Sequence, residues 1–380
     1  MELNGKNQKQ ILKDTIIRNK YLFIILILAL FLRVYGLSTM GLGVDETLTI
    51  KQAQDFSQIS YLAKTVEFSP PLYYLIVFTI FQATHDFFYV RLFSAIMGII
   101  LVLLIFILTR EIFGENTATI AAFLAAINPS LIAYSHLMRN YEFFFVLIFL
   151  TIIFTKKYAK TGKNLANLAA SNVIMLLTAY HGFFILAAEC LFLKLSKVKN
   201  RIIIGLIAIA VIALLPLIPL LLKRTADWNA IYAKIYFLNL GQIAIDFFYM
   251  LYKLSIGGLT LKTAIAITPA LFIVIPVALF LFFKGIWIEK GRDYVLHYFL
   301  LIPAGIALVF GLTGSLMFNH KYLAYLIPIF LIFVANGLAK IKNQKLQKIL
   351  LAIIIVCWFV AILTFYSISK TDGWNAYLGL

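Results

Sequence analysis

Residues 21–47 read YLFIILILALFLRVYGLSTMGLGVDET. The stretch is an apolar run from Tyr21 to Leu37, then a short polar passage that turns through Gly41 and Gly43 onto Asp45 and Glu46. A bilayer core roughly 30 Å thick takes about 20 helical residues, so the run reads as a first membrane helix. Lys6, Lys9, Lys13, Arg18 and Lys20 precede it. Short cytoplasmic segments collect Lys and Arg, which puts residues 1–20 on the cytoplasmic side and the chain from Ser38 onward outside. No small-residue cleavage site follows the run, so a retained helix is expected rather than a removed signal peptide. The glycines permit a tight turn at the membrane surface just before the two acids.

The same pattern extends over the whole chain. Of 380 residues, 63% are hydrophobic and 13% charged, and the mean hydropathy is +0.96. A soluble domain of this size has too little interior for that much apolar surface. The fold class expected is therefore an all-α polytopic membrane protein, one membrane-embedded domain over 1–380, with membrane lipids as its surroundings. The net charge of +17 raises nucleic acid as a partner, but short basic loops explain it better, and no nucleic acid is expected. Cys190 and Cys357 both lie in apolar runs, so neither a disulfide framework nor a metal cluster is implied.

Basic clusters set the topology. Lys156, Lys157, Lys160 and Lys163 form one; Lys194, Lys197, Lys199 and Arg201 a second. Lys284, Lys290 and Arg292 form a third, and Lys340, Lys342, Lys345 and Lys348 a fourth. All are expected in the cytoplasm. The apolar run from Pro70 to Gln82 is short for a crossing, and counting it as one would flip every later cluster. It reads instead as a re-entrant or interfacial helix in a first outward loop over 38–90. Spans then follow at about 91–110, 117–134, 141–156, 165–180, 182–194, 202–222, 264–283, 294–315, 323–339 and 349–367, about eleven with the first. A second outward segment covers 223–262, rich in Tyr and Phe as befits the headgroup level, and an outward tail covers 368–380. This scheme places 21 of the Lys and Arg residues inside and 12 outside.

Polar chemistry gathers on the outward side. Charges near a bilayer are costly and tend to be functional. Asp45 and Glu46 could supply a general base or bind a divalent cation, or simply favour a helix start. Glu67 precedes Ser69-Pro70-Pro71-Leu72-Tyr73-Tyr74, where the prolines end one element and open another. Arg91, Arg139 (followed by Tyr141 and Glu142) and the trio His320, Lys321, Tyr322 break the inside bias from separate helices. Arg grips phosphate oxygens with a planar fork and Lys as a point charge, so together they could hold an anionic lipid phosphate; snorkelling into headgroups is the plainer explanation for each alone. His181 stands at another outward turn. No HExxH, paired-Cys or Gly-rich phosphate loop occurs, so no metal ligands are assigned and an activated donor would have to come from the membrane.

In order and spacing, Asp45-Glu46-Thr47, Ser69-Pro70-Pro71-Leu72-Tyr73-Tyr74, Arg91-Leu92-Phe93-Ser94-Ala95, Pro129, Tyr134-Ser135 and Arg139-Asn140-Tyr141 resemble a family pattern. The chain resembles the membrane glycosyltransferases of the GT-C fold, in the branch of protein O-mannosyltransferases and lipid A aminoarabinose transferases. Lys321-Tyr322 followed by Pro328 is similar to the family's late basic-Tyr motif, and His181 sits where the family often has an outward His. The resemblance implies outward juxtamembrane helices and a sugar carried on a polyprenyl phosphate. It gives Asp45 the general-base role, with Glu46 orienting the loop or the acceptor. Arg139 and Lys321 would contact the donor phosphate, with Arg91, Tyr322 and His320 beside them. Glu67, Ser69, Pro70, Tyr73, Tyr141, Glu142 and His181 would line the substrate loops. Ser69 replaces the usual His before the Pro pair, and Glu142 is the sole acid near Arg139.

The expected reaction is transfer of a single sugar to a hydroxyl of a lipid, glycan or protein on the non-cytoplasmic face of the plasma membrane, with inversion. No cofactor is required by the pattern, although the two loop acids could hold a divalent cation. A lipid-sugar flippase would instead need charges near the bilayer midplane, where Glu189 is the clearest acid. A lipid-binding scaffold would tolerate loss of Asp45.

Overall fold

Residues 20–34 form the first helix, α1, and it opens a bundle in which every regular element among the described residues is helical. The computed structural model describes residues 20–55, 70–218, 240–256, 268–287, 293–312 and 323–368. After α1 come α2 (Val44–Asp55), α3 (Leu72–Thr84), α4 (Phe87–Phe113), α5 (Glu115–Ile127), α6 (Pro129–His136), α7 (Tyr141–Thr161) and α8 (Leu165–Thr178). Then follow α9 (Gly182–Leu195), α10 (Asn200–Leu214, continued by a 3-10 turn at Leu215–Leu217), α11 (Leu240–Ile256), α12 (Thr268–Ile286), α13 (Val295–Leu312), α14 (Leu326–Ala339) and α15 (Gln344–Ile368).

The centre of the bundle is α14, buried along its whole apolar length from Leu326 to Leu338. It crosses α12 with the two backbones in contact. A Cβ added at Gly285 would collide with the Phe333 carbonyl, and one added at Gly337 with the Leu281 carbonyl. The Asn336 side chain donates to the Gly285 carbonyl at 2.8 Å and fixes the crossing. Small residues and an interhelical hydrogen bond are what hold helices together where lipid removes most of the hydrophobic drive.

The expected span over 117–134 is broken. Asn128 and Pro129 divide it into α5 and α6, which meet at a bend of 54°. Pro129 has no N–H and cannot continue the ladder, while the Asn128 carboxamide oxygen accepts from Leu131 N at 3.1 Å and restarts it. The second outward segment, expected as a loop, contains α11 in its described part. Trp358 Nε1 of α15 donates to the Ser255 carbonyl at 3.0 Å, and Tyr252, Leu254 and Ile256 join the core.

Four described helices are long and apolar enough to cross a membrane, five if the bent pair counts as one span. Other apolar helices at expected spans, such as α8 and α14, are shorter, so length and composition alone do not reach eleven. The short run near Pro70 is α3, packed through Tyr73, Tyr74 and Val77 onto Ala53, Val90 and Met138. Lys156 of α7 bonds Glu111 of α4 and Asp293, just before α13, each at 3.1 Å. That bridge gathers at one end three segments assigned to the same side by charge. Glu189, the acid expected within a span, is buried and accepts from the Asn172 carboxamide at 3.1 Å.

Candidate active site

Gly43 and Glu46 build the entrance to α2. Gly43 accepts from the N–H groups of Glu46 and Thr47, and its own N–H donates to Glu46 Oε2 at 3.1 Å. This is one half of a capping box, with the acid in the helix's first turn. It turns the neighbouring carboxylates in different directions: Glu46 is wholly buried, whereas Asp45 stays half-buried.

Glu46 is held by more than its own helix. Arg91 donates from Nε to Oε1 at 3.2 Å and from Nη2 to Oε2 at 2.9 Å, and Met138 N donates to Oε1 at 3.0 Å. The rest of the Arg91 guanidinium meets the carbonyls of Leu37 (3.1 Å), Met40 (2.8 Å) and Gly41 (2.9 Å). These five bonds use all five N–H donors of an arginine. Arg91, expected beside the donor phosphate, is buried with all five donors committed to the loop. It is the clamp that closes residues 37–46 onto α4. Glu46, expected as catalytic, likewise has both oxygens committed, which leaves it the loop-orienting half of its expected role.

Arg139 lies differently. It is half-buried, and its Nη1 donates to the Thr49 hydroxyl at 3.1 Å and to the Asp45 carbonyl at 3.3 Å. The Thr49 hydroxyl in turn donates to the same carbonyl at 2.9 Å. Arg139 thus rests across the first turn of α2, with the guanidinium beside the Asp45 backbone. No described side chain hydrogen-bonds the Asp45 carboxylate.

The turn that carries Arg139 is pinned on every side. His136 Nε2 meets the Tyr35 carbonyl at 3.1 Å, Met138 N meets Glu46, and Asn140 Nδ2 donates to the Thr178 carbonyl at 2.8 Å. Across its base, the Ser135 hydroxyl faces Glu142 Oε1 at 3.1 Å, and Arg33 Nε donates to that hydroxyl at 3.1 Å. Asp45, Glu46, Arg91 and Arg139 are therefore brought together.

The remaining expected residues scatter more. Pro70 is buried at the entrance to α3, and Tyr73 is buried beneath the loop, near Ser94, where burial pushes its hydroxyl well up and keeps it protonated. Tyr141 packs against Tyr134 with the rings tilted, centroids 4.8 Å apart. Glu142 is wholly buried. His181 sits at the turn between α8 and α9, where burial pushes its imidazole down. Glu67, Ser69, His320, Lys321 and Tyr322 lie outside the described residues. No group of three or more His, Cys, Asp or Glu that could hold a metal ion occurs among the described residues. Thr49, Arg33 and Ser135 were not expected at the site. For Arg33 a signal existed, a lone charge inside the first apolar run, and for Ser135 its place in the Tyr134-Ser135 pair of the family pattern; for Thr49 there was none.

Residues 69–222 match the family model described as dolichyl-phosphate-mannose-protein mannosyltransferase. No curated protein sequence matches the chain. Among solved structures, ArnT from Cupriavidus metallidurans bound to undecaprenyl phosphate superposes with a TM-score of 0.58 at 16% identity, covering 90% of this chain and 65% of that one. The archaeal oligosaccharyltransferase AglB from Archaeoglobus fulgidus, in complex with an inhibitory peptide and a dolichol-phosphate, gives 0.56 at 14%, covering 95% and 56%. The chain thus spans less than two thirds of the length of either structure. It is an all-helical integral membrane protein whose fold resembles that of the GT-C membrane glycosyltransferases.

Proposed function

We propose that the chain is an inverting glycosyltransferase that moves a single sugar from a polyprenyl-phosphate carrier to a hydroxyl acceptor on the non-cytoplasmic face. One observation carries the reading: Arg139 lies across the helix turn that presents the uncommitted Asp45 carboxylate, while Glu46 and Arg91 neutralise each other beneath. A base and a cation side by side are what a single displacement at an anomeric carbon needs. Asp45 takes the proton of the acceptor hydroxyl as its oxygen attacks. The bond from the anomeric carbon to the carrier phosphate breaks, and Arg139, with Lys321, meets the charge that grows on the phosphate. The match to the mannosyltransferase model and the polyprenyl phosphates named with the two similar structures support this donor class. The acceptor is a hydroxyl of a lipid, glycan or protein. A divalent cation at this loop would have Asp45 as its carboxylate ligand, since both Glu46 oxygens are taken.

The test is transfer by the purified protein from a panel of polyprenyl-phosphate sugars. Positioned base catalysis contributes roughly 10²–10⁴-fold, so Asp45→Asn is expected to insert and purify normally yet lose activity by that order. Wild-type rates in Asp45→Asn would overturn the base assignment.

A further inference from the structure

The break between α5 and α6 leaves two carbonyls without their helical donors. Pro129 has no N–H to give the Ala125 carbonyl, and the bend takes the N–H of Ser130 away from the Ala126 carbonyl. Arg33, from the last turn of α1 and wholly buried, fills both places: Nη2 donates to Ala125 O at 3.1 Å and Nη1 to Ala126 O at 3.0 Å. A cation is also favoured at that helix end. Capping alone would explain a buried arginine here.

Arg33 does more than cap. Its Nε donates to the Ser135 hydroxyl at 3.1 Å, and the single hydrogen of that hydroxyl faces the Leu131 carbonyl at 2.6 Å and Glu142 Oε1 at 3.1 Å. Ser135 lies in the last turn of α6 and Glu142 in the first turn of α7, so their contact closes the base of the turn that holds Arg139. A third helix is shaped around the pair. A Cβ added at Gly98 of α4 would meet Ser135 Oγ and come within 2.7 Å of Arg33 Nε. None of these contacts is needed to cap α5.

We infer that Arg33, acting through Ser135, is a positioning residue that sets the Arg139 turn for the carrier phosphate. The inference rests on the phosphate-contact reading of Arg139 given above. Its test is the affinity of the detergent-purified protein for undecaprenyl phosphate, measured for wild type, Ser135→Ala, Arg139→Ala and the double variant. Arg139→Ala is expected to weaken binding by roughly tenfold or more. Ser135→Ala, which keeps both α5 caps, should weaken it by roughly three- to tenfold. In the Arg139→Ala background Ser135→Ala should add nothing, because its effect passes through Arg139. Gly98→Ala, acting from α4, should reproduce the Ser135→Ala loss, as should Arg33→Met where it folds.

A merely structural Ser135 would lower the thermal midpoint and leave the affinity of the folded protein unchanged. That result, or a Ser135→Ala effect that multiplies in full with Arg139→Ala, overturns the positioning role while leaving the phosphate reading intact. A wild-type protein that does not bind the probe overturns the phosphate reading, and this inference with it.

Discussion

Arg91 and Arg139 both lie next to the same acidic pair, and their surroundings give them different work. Arg91 gives two donors to Glu46 and three to the carbonyls of Leu37, Met40 and Gly41. Among the described residues Arg139, half-buried, donates to the Asp45 carbonyl and the Thr49 hydroxyl. Removing one partner of a buried ion pair typically costs about 3–5 kcal/mol, because the other charge is stranded. Arg91→Met is therefore expected to lower thermal stability sharply in detergent, and Arg139→Ala to lower it far less. Equal midpoints for the two variants would contradict the clamp. That Asp45 and Arg139 lie close together was readable in the sequence, because charge placement groups them. The Arg91 role was not, since nothing in a string of residues says that three carbonyls of a glycine-containing loop will turn toward one guanidinium.

At the scale of elements, two devices shape the bundle. The α12–α14 crossing needs glycine at positions 285 and 337, where backbone meets backbone. Gly337→Val should force the helices apart and abolish a stable fold. Gly305, inside α13, has open space at its Cβ position. Gly305→Ala should leave the fold intact and stabilise it by about 0.5–1 kcal/mol through backbone entropy. Thermal unfolding of the two purified variants checks both, and a stable Gly337→Val protein would contradict the contact. The second device is the break at Asn128-Pro129. Sequence reading passed over it because apolar residues continue on both sides and average hydropathy does not register a bend. An Asn cap followed by Pro at the first helical position was the local sign of it. Likewise α11 stayed hidden in a segment whose Tyr and Phe content resembles an interfacial loop.

At the scale of the whole molecule, charged groups collect at both ends of the bundle. Lys156 gathers Glu111 and Asp293 at one end of the bundle, and Glu46, Arg91 and the Met138 N–H meet at the far end of α4. Apolar length fixes little, because helices as short as the 14 residues of α14 sit deep in the core and need not match the bilayer themselves. Cysteines placed at Thr47 and Lys163 should label with impermeant thiol reagents from opposite sides of intact cells, Thr47 from outside. Labelling of both from one side would contradict the topology.

The centre of the reading is a phosphate held beside Asp45. The most direct measurement is an experimental structure of the protein with undecaprenyl phosphate bound. The expected result has phosphate oxygens about 2.7–2.9 Å from the Arg139 guanidinium nitrogens, the charge-assisted distance, with the Asp45 carboxylate facing the same space. A phosphate seated on Arg91 with the Glu46 clamp opened, or bound away from the α2 turn altogether, would contradict it.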